Sequence, residues 1–229
     1  KINTMSWPQG EGDYRMQNPY WIAYRNLRLN QKKRYMLSAQ LSYDITDWLN
    51  ISGRVRVDNT HTKYEQKLYA SSNLTITEES TQGHYTISKP DETQTYADVL
   101  ANINKRFNDF SLVANVGASI VNNRYEDLSY RGPIREKGIP NVFNVFDLDN
   151  TKKKARQDEW QEQTQSVFAS VEVGWKSMLY LTLTGRNDWF SALSYKGKTS
   201  PNHIFYPSVG LGFILSEAIQ MPSWFPYLK

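Results

Sequence analysis

Between Arg34 and Asn59 apolar and polar residues alternate with a period of two. Tyr35, Leu37, Ala39, Leu41 and Tyr43 fall on one face, and Ser38, Gln40, Ser42 and Asp44 on the other. After a tight turn, Ile45-Thr46-Asp47-Trp48, a second run places Leu49, Ile51, Gly53, Val55 and Val57 against Asn50, Ser52, Arg54, Arg56 and Asp58. Successive strand side chains point to opposite faces, so the pattern predicts a hairpin with one apolar and one strongly polar face. Tyr43 and Trp48 finish the apolar faces at the turn end. Apolar outside, polar inside and aromatic at the interface is the pattern of a membrane barrel strand.

The plan recurs. Ala97, Val99, Ala101 and Ile103 oppose Asp98, Asn102 and Asn104, and after Phe107-Asn108-Asp109-Phe110 the residues Leu112, Ala114, Val116, Ala118 and Ile120 oppose Ser111, Asn115 and Ser119. A third hairpin runs from Gln165 to Trp175, turns at Lys176-Ser177-Met178, and returns through Leu179, Leu181, Leu183 and Gly185. A seventh strand is expected over 206–215, with Pro207, Val209, Leu211, Phe213 and Leu215 outward. The turns at 45–48, 107–110 and 176–178 are short, whereas 60–93, 122–161 and 188–205 read as long polar loops. Such asymmetry is the rule for outer-membrane barrels, with short periplasmic turns and long extracellular loops. Strands of about ten residues suffice to cross a bilayer when tilted. The expected organisation is all-β: an antiparallel transmembrane β-barrel segment of about seven strands within 33–215. Residues 1–32 are expected to form an extracellular loop and 216–229 a periplasmic connection. Lipid does not tolerate an open sheet edge, so seven strands imply a segment of a larger barrel.

Composition narrows the alternatives. Cysteine is absent from the 229 residues, which removes disulfides and thiolate metal sites. A net charge of +4 is spread along the chain and argues against a nucleic-acid arm. Mean hydropathy is −0.64, and no apolar run is long enough for a transmembrane helix. A barrel is compatible with both, because half of each strand faces a wet lumen. Lys1-Ile2-Asn3 does not resemble the start of a signal peptide, so the expectation is a mature or excised stretch of something larger.

Catalytic chemistry finds no support. His61, His84 and His203 fall in loop-like segments without ligand spacing and read as solvated. Asp147-Leu148-Asp149-Asn150 starts like a calcium loop but lacks the glycine and closing glutamate at their positions. No cofactor and no metal site is expected, nor an enzyme. Charged residues do fall on the polar strand faces: Arg54, Arg56, Asp58, Asp98, Glu172, Arg186 and Asp188. Pairing with one another is the simplest role for them. Arg186 and Asp188, near an extracellular end, are the candidates for substrate contact, with the neighbouring Trp189 and Phe190. Tyr130, Phe143, Phe146 and Tyr195 are further loop aromatics able to face a sugar or peptide. Tyr43, Trp48 and Trp175 suit a periplasmic aromatic girdle.

Several motifs then resemble one family. Tyr43-Asp44-Ile45-Thr46-Asp47-Trp48-Leu49, with Asn18-Pro19-Tyr20-Trp21 upstream, resembles a hairpin of the SusC/RagA family of TonB-dependent outer-membrane transporters of Bacteroidetes. Gly185-Arg186-Asn187-Asp188-Trp189, Phe205-Tyr206-Pro207-Ser208-Val209-Gly210, Leu215-Ser216-Glu217 and Trp224-Phe225-Pro226 follow in the family's order. The resemblance implies a barrel of about 22 strands with a plugged lumen. It also implies a SusD-like surface lipoprotein as partner, energy from TonB, and import of oligosaccharides or peptides across the outer membrane. Plug and TonB-contact segments have no counterpart in this sequence. Two other readings stand beside it: a TonB-dependent siderophore or vitamin transporter, and an extracellular carbohydrate-binding β-sandwich, which seven alternating strands would also suit.

Overall fold

The computed structural model describes residues 17–194, 197 and 202–218. A short helix, α1 (Pro19–Arg25), leads into β1 (Asn26–Thr46) and β2 (Leu49–Tyr69). β3 (Gly83–Ser88), β4 (Asp91–Phe107) and β5 (Phe110–Pro133) follow, then β6 (Lys154–Trp175), β7 (Leu179–Phe190), β8 (His203–Phe213) and the one-turn α2 (Leu215–Ala218). All eight strands belong to one sheet, ordered β1-β2-β3-β5-β6-β7-β8, with β4 pairing both β2 and β5. A sandwich needs two sheets facing across a core, and the described residues form one.

Eight segments occupy seven places in that order. β3 and β4 both lie between β2 and β5, separated by Lys89-Pro90. Proline has no N–H to give the ladder. There the Thr62 N–H donates to the Pro90 carbonyl at 2.9 Å, and the Lys89 N–H donates to Asp127 Oδ1 at 3.0 Å.

The strands outrun the expected ones. Residues 60–69 and 91–93 are strand rather than loop, as are 122–133 and 154–161, and Asn26 already starts β1 inside the stretch read as a terminal loop. The connections outside the strands shrink to 70–82 and 134–153, and β7 ends at Phe190 while β8 starts at His203. The reason is chemical. Beyond about ten residues both faces turn polar, as in His61-Thr62-Lys63-Tyr64-Glu65-Gln66-Lys67, so the hydrophobic period disappears while backbone pairing continues. Only the start of the 216–229 connection lies among the described residues, as the end of α2.

The chain divides into two compact units: Lys1–Tyr35, Asn59–Thr93 and Arg124–Trp160 in the first, and Met36–Asp58, Gln94–Asn123 and Gln161–Lys229 in the second. The second contains the three short turns. Asn108 has φ +49° and Lys176 and Ser177 have φ +51° and +59°, the left-handed geometry that tight hairpins require. Neighbouring turns are tied together, with Lys176 N–H donating to the Asp109 carbonyl at 2.7 Å and Ile214 N–H to the Met178 carbonyl at 2.7 Å. The register keeps the apolar residues in rows: Val171 pairs Leu183, Val173 pairs Leu181, and Leu183 and Leu181 pair Val209 and Leu211 of β8. Those rows are bare, with Leu41 82%, Val209 73% and Leu211 75% exposed. So large an apolar surface calls for a nonaqueous neighbour. Lys105 Nζ lies 4.6 Å from the Trp48 ring centre and Lys176 Nζ 5.2 Å from that of Trp175, placing cations beside aromatics at the turn end.

The first unit has a small conventional core. Trp21 of α1 is buried and its Nε1–H donates to Ser72 Oγ at 2.9 Å. Leu68, Tyr85, Ile134 and Leu148 are buried too, the last two joined by an isolated bridge. Gly83, at φ +115°, has the Leu68 carbonyl only 2.6 Å from where a Cβ would stand, so a side chain there is excluded.

Val167→Lys on the apolar row of β6 should destabilise the membrane-inserted protein by about 2–4 kcal/mol. Ser170→Lys, on the opposite face of the same strand, should cost under about 1 kcal/mol. Denaturant unfolding of the full-length barrel in lipid would check the contrast.

Candidate functional site

The polar face of the second unit is a wall of hydrogen-bonded clusters. Arg54 pairs with Asp98 at 2.8 Å, and its guanidinium lies 5.3 Å from the Tyr96 ring centre. Arg56 lies over the same ring at 5.3 Å and donates to Gln94 Oε1 at 3.1 Å; Gln94 in turn donates to Asn123 Oδ1 at 3.0 Å. Nearer the turns Asn50 donates to Asp44 at 2.6 Å and accepts from Asn102 at 3.3 Å. Thr182 Oγ1 donates to Glu172 at 3.1 Å. Asp58 is half-buried on β2.

Of the four residues expected to touch substrate, two form a constellation. Arg186 Nε donates to both oxygens of Asp188, at 2.8 and 3.1 Å, and its NH2 donates to Ser166 Oγ at 3.0 Å. Asp188 and Ser166 are buried and directly opposed in the β6–β7 ladder. The guanidinium also lies 5.6 Å from the Phe168 ring centre, and that ring occupies the space a Cβ of Gly117 would need.

Trp189 is not part of it. It pairs with Gln165 and His203 in the rows that carry Val167, Val209 and Leu211, so it lies on the apolar face. Its ring is 6.4 Å from that of His203. An adjacent residue on a strand must face the other way, which is why proximity in sequence to Asp188 misleads here. Phe190 pairs with Thr164 in the Asp188 row, at the very end of the strand.

A polar cavity of about 690 Å³ lies wholly within the first unit, lined by Arg28, Gln66, Glu78, His84, Thr86 and Arg131 among others. His84 is buried, contrary to the solvated state expected of it, because β3 fixes it opposite Leu68 and Pro133. Its Nε2 is 3.7 Å from Glu78, in the 70–82 connection. Burial lowers the affinity of this imidazole for a proton; Glu78 partly opposes that, and Arg131 and Lys154 reinforce it.

His61 lies on β2 rather than in a loop and is exposed. His61 Nδ1 lies 3.0 Å from Asp91 Oδ2, and that contact, ahead of hydrogen bonds from Asn59 and Thr93, holds Asp91 below the usual carboxylate range. Asp147 accepts from the Asn144 side chain and from Arg135 at 2.8 Å, and Asp149 accepts from Thr151, so these carboxylates close turns. Among the described residues no group of His, Cys, Asp and Glu could hold a metal. Phe143 packs 5.1 Å from Tyr69 and 6.0 Å from Tyr85, Tyr130 lies on β5 opposite Ile87, and Phe146 is exposed. Tyr195 lies outside the described residues. A pair the sequence did not reveal is Tyr125 on β5 with Trp160 on β6, stacked at 5.5 Å and 12°. Their segments read as loop, and only the ladder brings them face to face.

The family described as TonB dependent receptor-like, beta-barrel, matches residues 3–225. The chain belongs to this family. It is outer-membrane barrel wall, crossing with strands; among the described residues no helix is long and apolar enough to cross. Solved structures of similar fold include the RagAB peptide transporter, at 15% identity and TM-score 0.68 over 90% of this chain and 22% of that one. The same importer in its open-open state gives 15% and 0.68 over 91% and 22%. BauA, the ferric preacinetobactin receptor of Acinetobacter baumannii, gives 17% and 0.50 over 80% and 28%. The chain therefore spans about a fifth of the RagAB chain it matches. No curated protein matches. The fold match agrees with the SusC/RagA resemblance of the hairpin motifs, and the polar wall is the face a TonB-dependent barrel turns to its lumen.

Asp188→Ala should destabilise the full-length barrel by about 1–3 kcal/mol, since it strips the Arg186 guanidinium of its buried acceptor. Thermal unfolding in detergent reads this. For His84 the unfolded side chain takes its proton near pH 6.5 and the folded one only at lower pH. The opened state therefore binds more protons, and local stability is lost as pH falls through about 6.5. Proteolysis within 70–82 of the full-length protein should accelerate between pH 8 and pH 5, and stay flat in His84→Gln.

Proposed function

We propose that this chain is lumen wall of a TonB-dependent importer that takes up peptides or oligosaccharides together with a SusD-like surface lipoprotein. The observation that carries the reading is the RagAB fold likeness at TM-score 0.68, against 0.50 for the ferric preacinetobactin receptor. Peptide cargo is favoured over glycan by the same likeness. The polar wall supports passage of a hydrogen-bonding cargo: Arg54, Asp98, Arg56, Gln94, Arg186 and Asp188 present fixed donors and acceptors. Phe190, Tyr125 and Trp160 are the aromatics nearest to a cargo role, whereas Trp189 lies on the apolar face and is better placed as an interface anchor. Uptake of a ferric chelate is the second reading, favoured by the weaker BauA likeness.

Deletion of the full-length gene should abolish growth on peptide mixtures as sole nitrogen source, with growth under iron limitation unchanged. Growth lost on limiting iron and retained on peptides and glycans would transfer the assignment to the chelate reading.

A further inference from the structure

Counted over its described lining residues, the cavity of the first unit carries more positive charge than it neutralises. Arg28 of β1 and Arg131 of β5 line it, and neither forms an ion pair among the described residues. Among the described lining residues the one carboxylate, Glu78, is turned to His84. Two guanidinium groups therefore stand against one carboxylate. Guanidinium groups are planar forks that match a carboxylate in two parallel hydrogen bonds. Nearly all polar groups buried in a protein have a partner. His84 Nδ1 is an exception: its side chain is 7% exposed, and no described atom bonds Nδ1. With Nε2 turned to Glu78, Nδ1 is left as an acceptor and needs an N–H or O–H. Gln66 and Thr86, paired directly across β2 and β3, add neutral groups to the same wall.

An anion acceptor beside an unsatisfied base is the complement of a peptide end, which offers a carboxylate and, on the same terminal residue, a backbone N–H. We propose that this cavity receives the C-terminal carboxylate of an imported peptide, with Arg28 and Arg131 holding the carboxylate and His84 Nδ1 accepting the last backbone N–H. The assignment rests on the peptide-import reading for its ligand. The charge balance of the lining stands apart from that reading and predicts preference for an acid whatever the cargo backbone.

The test uses the full-length transporter in detergent and two ligand pairs: an alanine-glycine hexapeptide with a free or amidated C-terminus, and an oligogalacturonate or its methyl ester. The free-acid peptide should bind about tenfold tighter than its amide, the scale of one charge-assisted hydrogen bond. Arg131→Gln and Arg28→Gln should each erase that ratio by weakening the acid alone, while Arg131→Lys keeps part of it and shows that the fold survives. Acid preference confined to the oligogalacturonate and dependent on Arg131 would retain the anion site and overturn the peptide ligand. Acid and neutral forms binding alike, or neither binding, would overturn the site. So would a preference that persists in Arg131→Gln and Arg28→Gln.

Discussion

Backbone hydrogen bonding without water is the constraint on which everything else in this chain depends. In the bilayer core each unpaired N–H or C=O costs several kcal/mol, so only helices and sheets joined strand to strand can cross. With no helix able to cross among the described residues, the ladder from β1 to β8 carries the whole burden. Once the ladder is imposed, side chains are left a choice of two faces. Leu181, Leu183, Val209 and Leu211 take one and Arg186, Asp188, Ser166 and Glu172 the other.

The same ladder explains why the protein has two kinds of interior. In the second unit few side chains are buried against one another, and the buried ones include Ser166 and Asp188. Its stability comes from pairing, from the hydrogen-bonded polar wall and from surface that prefers lipid to water. The first unit is built as a soluble protein is, with Trp21, Leu68, Tyr85, Ile134 and Leu148 enclosed by α1 and the long connections. Its charged groups are correspondingly tuned. Burial alone would push the Glu65 carboxylate up, but hydrogen bonds from Tyr85 and Lys63 with the nearby Lys67 charge hold it below its usual range, and burial with the same Tyr85 bond pushes the Tyr85 hydroxyl up.

A lumenal surface of this type is polar without being loose. Arg54 is committed to Asp98, and Arg186 to Asp188 and Ser166, so most charges of the wall satisfy one another. Arg28 and Arg131 differ in having no such commitment among the described residues, which is what separates the cavity from the wall.

The alternation by itself determined the three short hairpins, the apolar and polar rows, and the outer-membrane setting. A period of two confers one face per residue, and lipid on one side with water on the other makes that face visible in residue type. It failed where both sides meet water. There β2, β5 and β6 continue through His61, Glu126 or Trp160 with no apolar row to mark them, and Tyr125 and Trp160 could not be seen to stack. Trp189 was misplaced for a related reason: a short motif shows which residues are neighbours, whereas register shows which of them share a face. The burial of His84, its approach to Glu78 and the cavity with Arg28 and Arg131 were decided by tertiary structure alone. They join β1, β2, β3, β5 and the 70–82 connection, and contacts between segments so far apart in the chain leave no periodic trace in it.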